Sequence, residues 1–336
     1  MINKKTKFCK AAALLGAAVM MISAMAGCGK NTKVVLTAGL KKNEVFRISS
    51  ASCVLPEVMV YLTNMQNQYE SVYGSQIWNA SDGQLSLEQE EREQVLTQLA
   101  RIKVMNLLAQ KKEVTLDDKE KERAAAAGRE YFTSLNSAGV TALNVTQDLI
   151  TKMYEEYALA EKVYQTIVEN VNPEVSDDEA RTITVDMIRV SDSAKASQVL
   201  GKAKEEGVDF ETLAQAESED QTVMQSFGKG EVSEELEKAA FNLGKDEISD
   251  VVESDGSYYI LKCISTFDEA QTKANKEKIV KQRQSEAFDT EYTAFEQTLV
   301  RQLNEELWNS VTMIHQDDVK TSSFFEVYQM YFQHQE

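Results

Sequence analysis

In 336 residues the chain has only two histidines, two prolines, four cysteines and 14 glycines. His315 and His334 both lie near the end, so histidine-based catalysis in the middle of the chain is excluded. Cys9, Cys28, Cys53 and Cys263 form no metal-ligand spacing, so neither a metal site nor another cofactor is expected. Cys53 and Cys263 sit in apolar surroundings that read as helix and strand, which favours buried free thiols over a disulfide. Scarce proline and glycine leave few turn residues and favour long helices. Basic residues are outnumbered too, 36 Lys and Arg against 54 Asp and Glu, for a net charge of −18. Such a surface repels nucleic acid and anionic lipid headgroups, so neither is expected as a direct partner. The length allows about two domains and a sizeable core.

What the chain does have is a basic start, at Lys4, Lys5, Lys7 and Lys10, followed by an apolar stretch from Ala11 to Ala26. This describes a secretory signal, too short to read as an ordinary spanning helix. The run Met25-Ala26-Gly27-Cys28 that ends it resembles the bacterial lipobox, with Met25 where leucine is more usual. The resemblance implies that residues 1–27 are removed and that Cys28 is lipidated as the new N-terminus. Loss of the four lysines deepens the charge from −18 to −22, so lipid rather than charge must hold the membrane. Residues 28–43 read as a polar tether. The expected location is the extracytoplasmic face of a bacterial cell membrane.

From residue 44 to about 178 the pattern is helical. Val95, Leu99, Ile102, Met105 and Ala109 recur at three- and four-residue steps, as do Met153, Tyr157, Ala160, Tyr164 and Ile167. Ser81 to Gln84 reads as a loop, Leu116 to Glu122 as a charged helix start, and Pro173 marks a boundary. Thr182 to Val190 is β-branched and reads as a strand, followed by helices after Asp192, near Asp209 and from Ser233 to Asn242. Val251 to Glu253 and Tyr258 to Ile264, joined through Asp255-Gly256, read as a hairpin. Residues 179–268 are thus a compact α+β block with a small antiparallel sheet. From 269 to 336 a helical pattern returns, with Phe288, Tyr292, Phe295, Leu299, Leu303 and Leu307 as one stripe and an aromatic tail from Phe324 to Phe332. The fold class expected is α+β, a largely helical lobe made by both ends of the chain with the small domain inserted between them. The aromatic tail reads as packing for that lobe.

The middle block resembles the parvulin family of peptidyl-prolyl isomerases, through Met187-Ile188-Arg189-Val190, Gly207-Val208-Asp209-Phe210, Ser218-Glu219-Asp220, Phe227-Gly228-Lys229-Gly230, Ala239 to Leu243 and Ser257 to Lys262. With the lipobox and the helical flanks, the whole resembles the PrsA-type foldase lipoproteins. The resemblance implies a lipid-tethered chaperone lobe carrying a parvulin-like domain, with unfolded or partly folded exported proteins as partners; self-association of the helical arms is left open. It also implies a proline pocket at Phe227, Val232 and Leu236, and a polar network containing Asp220. The two histidines usual in that network are replaced by Met187 and Tyr259, which leaves Asp220 and Tyr259 as the candidate catalytic pair. Methionine is only a weak acceptor, whereas tyrosine can donate or accept a hydrogen bond. The segment Gln221 to Ser226 also lacks the glycines usual before the pocket aromatic.

Two functions compete: a foldase with weak or lost isomerase activity, and an active parvulin-type isomerase. A solute-binding lipoprotein would need two similar lobes of alternating strands and helices, which the chain lacks. An assembly subunit that uses the domain for docking is a further alternative.

Overall fold

The computed structural model describes residues 39–80 and 86–333. The signal segment 1–27, Cys28, most of the tether, the Ser81 to Gln84 loop and His334 lie outside the described residues. Two compact units emerge. One is built from residues up to Asn170 together with those from Ala287 onward, and the other is Val171–Glu286.

In chain order the first unit has strands β1 (Glu44–Ile48) and β2 (Ala51–Val54), then helices α1 (Leu55–Tyr73), α2 (Leu87–Lys111), α3 (Asp118–Ser134), α4 (Ser137–Leu143) and α5 (Gln147–Val168). The second has α6 (Asp177–Ala180), β3 (Thr182–Val190), α7 (Ser193–Ala203), α8 (Phe210–Glu217), β4 (Met224–Gly228), α9 (Glu234–Phe241), β5 (Val252–Ser254) and β6 (Ser257–Ser265). Helix α10 (Glu269–Glu296) runs past residue 286, after which the first unit resumes with β7 (Arg301–Leu303), α11 (Glu305–Asn309) and α12 (Phe324–Phe332).

Helix starts in the first unit follow their capping residues. The Ser86 hydroxyl accepts the Gln89 N–H while Gln89 returns a bond to the Ser86 N–H, and Asp117 and Glu120 repeat this reciprocal pattern. The apolar stripes of α2 and α5 face one continuous core. Helices α3 and α5 approach closely at Gly128, where a Cβ would meet the Thr151 Oγ1 at 2.3 Å and its Cα at 2.9 Å. One buried charge cluster crosses this core: Lys103 Nζ lies 2.7 Å from Glu57 Oε1 and 2.5 Å from Glu156 Oε2. Burial works against the Lys103 cation, but Glu57 and Glu156 outweigh it and hold the ammonium charged well above the usual lysine range.

Residues from the far end of the chain close the same core. Phe324 stacks on Tyr154 with ring centroids 4.4 Å apart and meets Tyr131 edge-on at 5.2 Å. The Tyr154 hydroxyl donates to the Phe324 carbonyl at 2.8 Å, and the Phe324 N–H donates to Asn64 Oδ1 at 3.0 Å. The aromatic tail is therefore packing.

Two expectations need correction. Residues 44–54 are a hairpin rather than helix; Ser49, with φ of 50°, makes its turn, and β1 also pairs with β7 in a sheet ordered β2-β1-β7. The stripe from Phe288 to Leu307 is not one helix either. Helix α10 ends at Glu296, Leu303 lies in β7 and Leu307 in α11. The spacing persists because all six side chains pack on the same core, although they reach it from different elements.

In the second unit the strand Thr182–Val190 has the bounds read from its β-branched residues. The sheet order is β4-β3-β6-β5, all antiparallel. The β5–β6 hairpin turns at Asp255 and Gly256, both at positive φ, as a two-residue turn of this kind needs. Asp192, Asp209 and Ser233 cap α7, α8 and α9. Cys53 and Cys263 are buried free thiols, one in each unit.

Candidate functional site

Alternation along β3 divides the second unit into two small cores. Ile188 and Val190, with Ile260 of β6, face α7 and α8. Ile183, Val185 and Met187 face the other way and pack with Phe227, Leu236, Ala240 and Leu261. Tyr259 and Val232 lie half-buried at the margin of this second cluster. The structure thus brings Met187, Tyr259, Phe227, Val232 and Leu236 onto one face.

Their exposure is uneven. Met187, Phe227 and Leu236 are 6 %, 5 % and 8 % exposed. Phe227 is also backed by Phe241, with ring centroids 6.3 Å apart. Little of these side chains is left for a proline ring to cover.

Asp220 stands at the rim, and an unforeseen residue holds it there. Arg189, two residues beyond Met187 on the same face of β3, directs its Nε to Asp220 Oδ1 at 2.9 Å. Its Nη1 donates to Ser257 Oγ at 3.1 Å. Tyr259 lies directly opposite Arg189 across the β3–β6 pair. The hydrogen bond and the charge of Asp220 hold the Arg189 guanidinium above its ordinary pKa range. The loop that carries Asp220 is tied to the strand by the Glu219 N–H on the Arg189 carbonyl, at 2.8 Å, and by Ser218 Oγ accepting the Arg189 N–H at 3.1 Å.

Arg189 was legible in the strand assignment, because a period of two puts residues 187 and 189 on one face. Its partner was not, since Asp220 lies 31 residues away in a loop. The arrangement sets a fixed ion pair and one tyrosine beside an apolar cluster that is largely filled from within. Among the described residues no group of three His, Cys, Asp or Glu side chains is placed to hold a metal ion.

Residues 170–277 match the family model described as PPIC-type PPIASE domain. Foldase protein PrsA from Streptococcus pneumoniae (strain Hungary19A-6) is 32% identical over 165 residues, which cover 44% of this chain and 53% of the relative. The chain thus spans about half the length of the curated relatives it matches. Among solved structures, PrsA from Bacillus cereus is 19% identical with a TM-score of 0.39, over 72% of this chain and 91% of that one. PrsA from Bacillus subtilis is 24% identical with a TM-score of 0.27, over 71% and 91%. The chain is thus similar to the PrsA foldases over about half of their length, and the family model that residues 170–277 match describes a peptidyl-prolyl isomerase domain.

Proposed function

We propose that this chain is a foldase or chaperone for exported proteins, tethered by lipid on Cys28 to the extracytoplasmic face of the bacterial cell membrane, with weak or lost peptidyl-prolyl isomerase activity. In this reading residues 1–27 are the signal, 28–43 the tether, and 179–268 the parvulin fold. The residues on either side, 44–178 and 269–336, supply the chaperone lobe that holds unfolded or partly folded clients. The tether and location rest on the basic start, the apolar stretch and the Ala26-Gly27-Cys28 junction.

One observation carries the catalytic part: the Arg189–Asp220 ion pair beside a buried Met187. Rotation about a peptide bond meets a barrier of about 18–20 kcal/mol, and prolyl bonds exchange unaided over roughly tens to hundreds of seconds. Catalysis requires polar groups that favour the twisted amide over the planar one, next to a pocket for the ring. Here the acidic group is already bound, one usual histidine position holds a buried thioether, and the ring pocket is largely filled from within. Losing such polar partners costs about 10² in rate.

The test is prolyl cis/trans exchange in a model proline peptide, followed by NMR with the soluble chain that begins after Cys28. The expected result is no acceleration above background at high protein concentration. Acceleration that Asp220→Ala abolishes would establish the alternative, an active isomerase run by Asp220 and Tyr259. The tether is checked separately by the mass of the mature N-terminus from cells, which should carry the lipid on Cys28.

A further inference from the structure

The first unit contains a cleft of about 540 Å³ that the foldase reading does not use. Asn67, Glu70 and Ser71 of α1 form one wall, and His315, Asp317 and Lys320 line the opposite side. Its size is within the range of small-ligand sites.

Two acceptors in it lack adequate donors. The Glu70 side chain is 13% exposed, and its Oε1 accepts from Gln66 Nε2 and Trp78 Nε1, both at 2.9 Å. Its Oε2 has Lys320 Nζ at 3.4 Å, longer than the roughly 2.7–2.9 Å of a good charged hydrogen bond. Lys320 itself is mostly exposed. Burial pushes the Glu70 carboxyl up, but the bonds from Gln66, Trp78 and Lys320 outweigh it and keep the group below its usual range, as an anion.

The second acceptor is Asn67, 7 % exposed. Its Nδ2 donates to the Thr321 carbonyl at 3.0 Å and to the Val319 carbonyl at 3.4 Å. Those two carbonyls fix which way the amide points. Its Oδ1 is left buried with no donor. A buried acceptor without a partner is uncommon and calls for a donor.

We infer that this cleft binds a primary ammonium group, which bonds Glu70 Oε2 in place of Lys320 and supplies the missing donor to Asn67 Oδ1. An ammonium carries three donors around a point charge, which suits acceptors on separate residues. A guanidinium is held best by both oxygens of one carboxylate, and Glu70 Oε1 already accepts two bonds, so a guanidinium is held more weakly. The ammonium can come from a lysine side chain of a bound polypeptide or from a free amine. The inference is independent of the parvulin face.

The Trp78 indole N–H bonds to Glu70, so its NMR signal reports on the site, and Trp308, the other of the two tryptophans, is the control. The soluble chain is titrated with n-butylamine, a capped lysine peptide and guanidinium chloride. A saturable shift of the Trp78 signal is expected with both amines, and a weaker one with guanidinium at the same concentration. Lys320→Ala should tighten binding several-fold by removing an internal competitor, and Glu70→Gln should abolish it. Much tighter binding of the peptide than of butylamine identifies a polypeptide source, and equal affinity a free amine; both uphold the site. The inference is overturned by the absence of a saturable shift in the wild type and in Lys320→Ala. A shift that survives Glu70→Gln in a variant with an intact amide spectrum overturns it equally.

Discussion

Within the first unit, Phe324 completes a core whose other walls are Asn64 and Tyr154, 260 and 170 residues earlier in the chain. Within Val171–Glu286, β3 pairs with β4 and β6 of the same continuous stretch. The units also treat charge differently. The first buries Lys103 with Glu57 almost completely, while the Arg189–Asp220 pair of the second keeps about a third of each side chain in solvent. In the first unit ionic and aromatic contacts are thus structural, and their loss is costly. In the second, the fold rests on the sheet and its two small cores, which leaves the charged rim free to change. That freedom is consistent with the proposed reading, in which Met187 and Tyr259 stand where the resemblance implies histidines.

The most severe way to break this contrast is to end the chain after Ser310, which removes α12 and the segment before it. Hydrogen exchange should then show α1, α2, α3 and α5 losing protection while β3 and β6 keep theirs. A milder version is Phe324→Ala, expected to cost about 3–5 kcal/mol as a buried aromatic truncation, read as a lower urea midpoint. Lys103→Met should be of similar size, about 3–5 kcal/mol, because it leaves the buried Glu57 without its cation and Glu156 with only Lys152, at 3.5 Å.

Glu91 sharpens the picture through pH. It is buried, its Oε2 has no partner, and burial pushes its carboxyl up more than the Tyr69 hydrogen bond pulls it down; Glu90 adds to the rise. A raised folded pKa means that the native state holds the proton longer than the unfolded chain does. Stability is therefore lost as pH climbs from the ordinary carboxylate value through the raised one, and it stays lower above that. Glu91→Gln should raise the urea midpoint at pH 7, and the gain should fade as the pH falls from the raised value to the ordinary carboxylate value and be gone below it. The smallest effect belongs to the second unit. Asp220→Ala breaks a pair about one-third exposed and should change stability by only about 0–1 kcal/mol in thermal unfolding.

The same contrast decides what could be read from the sequence. In the second unit, β-branched residues mark β3 and Asp255-Gly256 marks the hairpin, because strands and turns there are specified by neighbours along the chain. In the first unit, β1 and β7 are separated by some 250 residues, so nothing local reveals that they pair. The Phe288 to Leu307 stripe misleads for a related reason: burial against one core preserves a spacing even after the helix has ended. At the candidate site Phe227, Val232 and Leu236 fall in one apolar cluster with Met187 and Tyr259. Arg189 escapes notice because its partner comes from a distant loop, although its place on the Met187 face follows from strand alternation.

In the proposed function the chain assists folding by binding rather than by isomerising. Refolding of an aggregation-prone client whose slow phase is prolyl isomerisation tests this in a single trace. With the soluble chain present, the yield of folded client should rise while the rate of the slow phase stays at its uncatalysed value. A faster slow phase, returned to background by Asp220→Ala, would contradict the claim.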